Sequence, residues 1–188
     1  MESSTRFVFV ERGGSRPKEP CIAVLDATAV LCGGLEVLRE KLCYTVPEVL
    51  EEVKTTRHRA HLEAFMDLGL LKVSTPPGSY VNRALEAAKR TGDYERLSKT
   101  DLQVIALALQ LSEERGESVE LVSDDYAVQN VASHLGVKYR SLKVRPIKLR
   151  VKWAYKCTAC GSIQQEYVEV CPICGHKMRR VSLRREEV

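Results

Sequence analysis

Cys21-Ile22-Ala23-Val24-Leu25-Asp26-Ala27-Thr28-Ala29-Val30-Leu31 is the stretch whose reading decides the fold. Cys21 to Leu25 form an unbroken apolar run without period-2 alternation, the pattern of a strand covered on both faces of a parallel sheet. Asp26 closes the run. In open α/β sheets ligands gather outside the carboxyl ends of the strands, so a lone carboxylate there occupies the place where chemistry happens. Position alone leaves a second reading equally open, in which Asp26 caps the helix or turn that follows.

Outward from this stretch the pattern repeats. Val119 to Val122 read as another buried strand and end in Ser123-Asp124-Asp125, ahead of a helix from about Tyr126 to Leu135 that Gly136 stops. One acid of that pair is accounted for as an N-cap or as a first-turn charge favoured by the helix dipole. Leu70 to Ser74, ended by Pro76-Pro77-Gly78, and Val137 to Leu142 supply two further strands. Helices fill the intervals. A short piece is expected around Leu35 to Leu42, after Gly33 and Gly34. The next opens at Thr45-Val46-Pro47-Glu48, with Thr45 as N-cap, Glu48 as the reciprocal capping-box acid and Pro47 in the first turn. Others run from Ser79 to Arg90, stopped by Gly92, and from Ser98-Lys99-Thr100-Asp101 to Arg115 and Gly116. Strands alternating with helices predict a three-layer α/β domain with a mostly parallel sheet.

Two more acids belong with Asp26. Val46, Val49, Leu50 and Val53 recur at helical spacing and form one buried stripe. At about 100° per residue, Glu48 and Glu51 fall on the far side of the helix and Glu52 at the rim of the stripe. Asp101 has a complete structural explanation as the acid of a capping box with Ser98. His58 and His61, on an Arg-bearing face without a further ligand nearby in sequence, read as solvated. Asp26, Glu52, Asp101 and the Asp124/Asp125 pair therefore come from four elements, each at an end or rim. Carboxylates crowded together raise one another's pKa unless a cation neutralises them, and hard oxygen donors suit Mg²⁺ or Mn²⁺ rather than zinc. Such ions serve phosphoryl displacement by water, for which no protein nucleophile is needed. None is evident: there is no Gly-x-Ser-x-Gly and no phosphate-cradling glycine loop. A phosphatase working through an aspartyl phosphate would place a second acid two residues after Asp26, where Thr28 stands. A phospho-acceptor signalling domain would pair its acids after the first strand, the reverse of the order here.

The chain has 188 residues with 29 basic and 25 acidic side chains. The net charge of +4 hides a split: 16 basic and 21 acidic residues up to Val137, then 13 basic and 4 acidic from Lys138 onward. An acidic body with a basic tail suggests a partner built of phosphates. No apolar run approaches the roughly 18 residues of a membrane span and no signal peptide is visible, so the expectation is an intracellular, cytoplasmic protein with no membrane partner.

Four of the seven cysteines form Cys157-Thr158-Ala159-Cys160 and Cys171-Pro172-Ile173-Cys174. Four thiolates at this spacing close a tetrahedral structural Zn²⁺ site without an open position for water, in a module that depends on the metal to fold. His176 is not needed as a ligand, and Cys21, Cys32 and Cys43 read as reduced, small apolar residues. Ile147, Leu149, Val151 and Trp153 alternate with Lys148, Arg150 and Lys152. Together with Tyr155, Lys156, Tyr167, Lys177, Arg179 and Arg180 they interleave cations with aromatic rings, as RNA contacts would, with phosphates paired and bases stacked. Trp153 and Tyr155 also have a plainer reading, as filling for a small core. The expected divisions are an arm over 1–20, with a short edge strand at Phe7 to Val10 open, a body over 21–142, a basic linker or strand over 143–152, a zinc ribbon over 153–182 and a charged tail over 183–188.

Leu25-Asp26-Ala27-Thr28-Ala29, Tyr44-Thr45-Val46-Pro47-Glu48-Val49 with Glu52 after it, Thr100-Asp101-Leu102-Gln103-Val104-Ile105-Ala106-Leu107-Ala108 and Val122-Ser123-Asp124-Asp125-Tyr126-Ala127-Val128-Gln129-Asn130-Val131-Ala132 resemble the acidic motifs of PIN-domain ribonucleases. The last two, with the cysteine module, resemble the Nob (Nin-one-binding) family of small-subunit ribosome-maturation endonucleases. The resemblance spans Cys21 to Met178; the arm has no counterpart in it. It implies a PIN-like domain with a small C-terminal zinc ribbon, and acids holding Mg²⁺ or Mn²⁺ that cut single-stranded RNA at the 3′ end of the small-subunit ribosomal RNA precursor. The implied partners are that RNA and the pre-ribosomal particle with its assembly factors. Asp26, Glu52 and Asp101 fall on motif positions. PIN domains generally carry Thr-x-Asp at the fourth position, which points to Asp125, while Asp124 is the extra acid of the Nob-like version. The alternative function is a non-catalytic RNA-binding assembly factor on the same fold.

Overall fold

The computed structural model describes residues 22–31, 41–116, 119–143 and 147–187. Strand β1 (Ile22–Leu25) is buried along its whole length, as an unbroken apolar run requires when helices cover both faces of a sheet. β2 (Leu42–Thr45) and β4 (Val119–Val122) flank it in parallel, so that Ile22 faces Leu42 on one side and Val119 on the other. β3 (Leu71–Val73) and β5 (Lys138–Arg140) complete a five-stranded sheet in the order β3-β2-β1-β4-β5, every pair parallel. Strand order reverses at β1. The crevice outside the carboxyl ends of β1 and β4 is therefore the topological switch point, where α/β sheets bind ligands.

Among the described residues six helices, α1 (Ala27–Leu31), α2 (Pro47–Glu52), α3 (Thr56–Asp67), α4 (Gly78–Thr91), α5 (Lys99–Arg115) and α6 (Tyr126–His134), pack on this sheet, with a 3₁₀ turn at Tyr94–Arg96. α5 buries every residue from Val104 to Leu109. A helix apolar all round needs neighbours all round, and α5 has them in β1, β4, α4 and α6.

One element departs from the sequence reading. Leu42 opens β2 rather than closing a helix, and Thr45 ends that strand instead of capping α2. The Thr45 hydroxyl donates to the Leu25 carbonyl at 2.9 Å, which ties β2 to β1 just before Asp26. The N-cap of α2 is Val46, without a side-chain cap, and Oε2 of Glu48 is left buried without a hydrogen-bond partner. A fully buried valine in the cap position brings more apolar burial than a cap would return, since Val46, Val49 and Val53 all enter the core. The expected helical piece from Leu35 and the arm with Phe7 to Val10 lie outside the described residues.

The C-terminal part is an antiparallel sheet in which β6 (Leu149–Cys157) pairs with β7 (Ile163–Gln164) on one edge and β8 (Met178–Glu187) on the other, with a bulge between Lys152 and Trp153. β6 runs unbroken through the expected division at 152/153, and β8 takes up most of the expected charged tail, because the Leu149–Glu187 end of the ladder pairs as regularly as the Cys157–Met178 end.

A polar joint fastens this sheet to the body. Gly92 ends α4 in the left-handed region, at φ +74°, and a Cβ there would lie 2.8 Å from Trp153 Cβ and 3.0 Å from its carbonyl oxygen. Only glycine meets both demands. The next residue, Asp93, is 2 % exposed; its carboxylate accepts from Asn130 Nδ2 at 2.6 Å and pairs with Arg180. Asn130 also donates to the Val151 carbonyl and accepts the Val151 amide, each at 2.8 Å.

Candidate active site and metal centre

Asp26 follows β1 directly and is 3 % exposed. Its carboxylate accepts the Thr28 hydroxyl at 2.8 and 3.0 Å and the Ala29 amide at 2.7 Å. It therefore caps α1, as the plainer reading had it. Burial nevertheless pushes its carboxyl above the usual range, against the opposing hydrogen bonds of Ser123, Ala29 and Thr28, and the charge of Asp101 adds to the rise. Asp101 forms the expected capping box: its amide donates to Ser98 Oγ at 3.1 Å and its Oδ2 accepts the Ser98 amide at 2.8 Å. It too is pushed up, by burial first, with Asp125 and Glu52 contributing their charges against the Ser98 hydrogen bonds. Each capping explanation is correct, and none is sufficient. Asp101 shares a field with each of the other three acids, Asp26, Glu52 and Asp125, which come from three further elements.

Glu52 is the exposed last residue of α2. Asp125 is the N-cap of α6, accepting the Ala127 amide at 2.6 Å. Asp124 points elsewhere: it accepts the Ser141 hydroxyl and the amides of Leu142, at 2.8 Å, and Lys143, at 3.1 Å, so it anchors the chain after β5. The donor set is all hard oxygen and carries uncompensated repulsion, which fits a divalent cation. The acids are spread more widely than the thiols, since among the described residues only the cysteines bring three or more ligand atoms within 4.8 Å of one another.

Sequence reasoning missed three residues that set this geometry. Thr28 Oγ1 donates to Asp26 and lies 3.5 Å from the Asp124 amide. Ser123 hydrogen-bonds Asp26, and its Oγ accepts the Asp125 amide at 3.1 Å. Gln129, fully buried, donates to the Ser123 carbonyl and accepts the Ile147 amide, each at 2.9 Å. The signal was present for two of them, as hydroxyl residues adjoining the acids in Asp26-x-Thr28 and Ser123-Asp124-Asp125; a glutamine inside an apolar helix face gave no comparable cue.

The four cysteines converge. Sγ of Cys157 is 3.4 Å from that of Cys174, and Cys160 is 3.6 Å from Cys171, against about 3.8 Å between sulfurs in a tetrahedron with Zn–S bonds near 2.3 Å. The Ser162 hydroxyl is the main influence holding the Cys171 thiol down to about 6, with the Ile173 and Cys174 amides assisting. Against the hydrogen bond of the His176 amide, Cys157 and Cys160 push the Cys174 thiol up to about 11, the split expected of four thiols crowded together, which a bound metal would level.

The expected RNA contacts divide. Lys148, Lys177 and Arg179 are exposed, and Lys152 and Lys156 half-exposed. Of the aromatic rings, Tyr167 is open surface, 43 % exposed, and Tyr155 and Trp153 are not. Tyr155 is 4 % exposed and donates to the Gly92 carbonyl at 3.2 Å, while the half-buried Trp153 is covered by the Arg180 guanidinium, 4.1 Å from its ring. Arg150 donates to Ser133 Oγ at 3.1 Å. Tyr155, Trp153, Arg180 and Arg150 therefore hold the ribbon to the body, because the body offers Gly92, Asp93 and Ser133 as partners.

A family model described as the PIN domain of ribonuclease matches residues 23–111. Endoribonuclease Nob1 of Pyrococcus abyssi (strain GE5 / Orsay) is 41% identical over 163 residues, which cover 86% of this chain and 94% of the relative. The chain belongs to the Nob1 family of PIN-domain endoribonucleases. A second Nob1, from Methanocaldococcus jannaschii, is 35% identical over 161 residues, 85% of this chain and 77% of its own. The 20S-pre-rRNA D-site endonuclease NOB1 of Saccharomyces cerevisiae is 40% identical over 90 residues, 47% of this chain and 20% of its own length. Membership makes the chain a nuclease and sets aside the non-catalytic alternative. No helix of the described residues is long and apolar enough to cross a membrane.

Proposed function

We propose that this endoribonuclease cuts single-stranded precursor ribosomal RNA at the 3′ end of the small-subunit RNA, using Mg²⁺ or Mn²⁺ held by Asp26, Glu52, Asp101 and Asp125, while a Zn²⁺ held by Cys157, Cys160, Cys171 and Cys174 keeps the ribbon folded. The observation that carries this reading is the crowding of the acids: Asp26 and Asp101 are both raised by burial and by the charge of neighbouring acids. A divalent ion bound there would neutralise that charge, orient a water for in-line attack and stabilise the leaving oxygen.

The chain's own residues supply the frame. Thr28 and Ser123 hold the Asp26 carboxylate from two sides. The Ser98 box fixes Asp101, and the Ala127 amide fixes Asp125. Asp124, engaged with Ser141 and two backbone amides, positions the segment after β5 rather than the metal. Lys148, Lys152, Lys156, Lys177 and Arg179 offer charge to the RNA backbone, in keeping with a ribosomal substrate and a pre-ribosomal particle as partner; the printed name of the yeast relative supports the same substrate class.

The test is a short RNA spanning a small-subunit precursor's 3′ end, incubated with Mn²⁺ and with wild type or Asp26→Asn. Wild type gives one defined product end, and the variant gives none while binding the RNA equally well. Equal cleavage by both proteins would overturn the assignment of the acids.

A further inference from the structure

Between α6, the 3₁₀ turn and β6 lies a cleft of about 420 Å³, whose lining includes Asp124, Asp125, Trp153 and Arg180. Most of its polar lining is matched within the fold. Asp124 is engaged with Ser141, Leu142 and Lys143, and Asp93 with Asn130 and Arg180. Two large side chains in the lining have no such explanation. Tyr126, the first residue of α6, is 55 % exposed, and its hydroxyl and ring have no partner among the described residues. Arg96 is exposed on the 3₁₀ turn and has no ion pair among the described residues. An aromatic ring held in water beside a carboxylate contributes little to folding, and the first turn of α6 is already capped by Asp125.

We propose that this cleft seats the nucleotide next to the bond being cut, with Tyr126 stacking on its base and Arg96 pairing with its phosphate. The proposal rests on the reading of the acids above. Asp125 and Tyr126 are consecutive residues that both line the cleft, so the ring stands beside one of the acids assigned to the metal. A base must be unstacked to meet an exposed ring, which selects single strands over duplex, and a ring accepts any base. The volume is within the ordinary range of about 300–1,000 Å³ for small-ligand sites. Leu149, Val151 and Trp153 of β6 form the far wall, so the seat is complete only when the ribbon is docked on the body.

The test places 2-aminopurine at successive positions of a short RNA around the cut, with full-length, zinc-loaded protein and Ca²⁺ in place of Mn²⁺ to leave the RNA whole. At one position beside the cut, wild type quenches the fluorescence; Tyr126→Ala abolishes the quench and Tyr126→Trp keeps it. With Mn²⁺, Tyr126→Ala raises KM about 5- to 100-fold, the size of one base–ring stack, and Tyr126→Phe restores it. Arg96→Gln raises KM and flattens its dependence on salt by about one phosphate contact. An unchanged quench profile and KM in Tyr126→Ala would overturn the proposal. The quench needs no cleavage, so this failure is distinct from that of the acid assignment, which Asp26→Asn reads.

Discussion

The body and the ribbon meet at Gly92 and Trp153 and are held together by different physics. Among the described residues, the body's cluster of buried apolar side chains contains 31 members and the ribbon's contains four, of which two are cysteines. A parallel sheet covered on both faces stabilises itself through burial. The ribbon's ladder has longer strands, of nine and ten residues, but with only Tyr155, Cys157, Cys171 and Met178 inside it does not have that resource. The difference separates the two units: apolar contact sets the frame on which the acids stand, whereas the ribbon, short of apolar burial, has four converging cysteines in its place.

The largest effect expected from this contrast follows removal of one thiolate. Cys157→Ser leaves three ligands for an ion whose binding is worth about 10–16 kcal/mol in small zinc modules. The ribbon should unfold while the body stays folded, so limited proteolysis cuts within 149–187 and spares 22–143, and affinity for RNA falls more than the rate of the chemical step. A single cooperative melt covering both regions would break the contrast.

Next in size is Asp101→Asn, and here the acid edge behaves oppositely to the rest of the body. Cleavage should fall at least about 1,000-fold, or about 4 kcal/mol of barrier, while the metal-free protein becomes more stable. The sign follows from linkage. A carboxyl raised in the folded state contributes its full stability below its unfolded pKa and loses it as pH rises through the folded value. Asparagine does not titrate. The Tm of the variant should therefore match wild type in acid and exceed it increasingly toward neutral pH, and Mn²⁺ should raise the Tm of wild type alone. A Tm difference that shrinks as pH rises would count against the electrostatic account of the site.

What the sequence made legible follows the same division. β1 was readable because a strand buried on both faces is apolar without interruption, β4 because Val119, Leu121 and Val122 outweigh the single charge of Glu120, and α5 because Ser98 and Asp101 announce its start. β2 was not. Four residues, Leu42-Cys43-Tyr44-Thr45, preceded by charge and followed by Pro47, carry too short a pattern, and Thr45 with Glu48 imitates a capping box while its hydroxyl serves Leu25. The acids of the site were legible as strand-end and helix-start residues. Thr28 and Ser123 were present beside them, but a hydroxyl's partner is decided by tertiary approach. In the tail, cations interleaved with rings looked like a nucleic-acid surface for an equally physical reason: alternation reveals which residues share a face of β6, and not what covers that face. Trp153, Tyr155 and Arg180 are covered by Gly92 and Asp93, some sixty to ninety residues away.

That covering is the third kind of bond, neither apolar core nor metal, and Asp93→Ala isolates it. The substitution strips Arg180 of its partner and Asn130 of one acceptor, yet it touches no cysteine and no member of the body's core. Removing one side of a fully buried pair costs about 3–5 kcal/mol; the Arg180 side chain is 20 % exposed, so water recovers part of this and about 2 kcal/mol remains. The loss should appear at the joint rather than in either unit. Trp153, the chain's single tryptophan, shifts its emission toward that of a solvated ring, and the Val151 amide, which Asn130 accepts, exchanges faster, while zinc content and the body's Tm stay near wild type. Asp93→Asn, which keeps an acceptor for Asn130, should lie between the two. If Trp153 emission and Val151 exchange were unchanged in Asp93→Ala, the apolar contact of Trp153 with Gly92 would suffice to dock the ribbon, and the polar joint would be a consequence of docking instead of its cause.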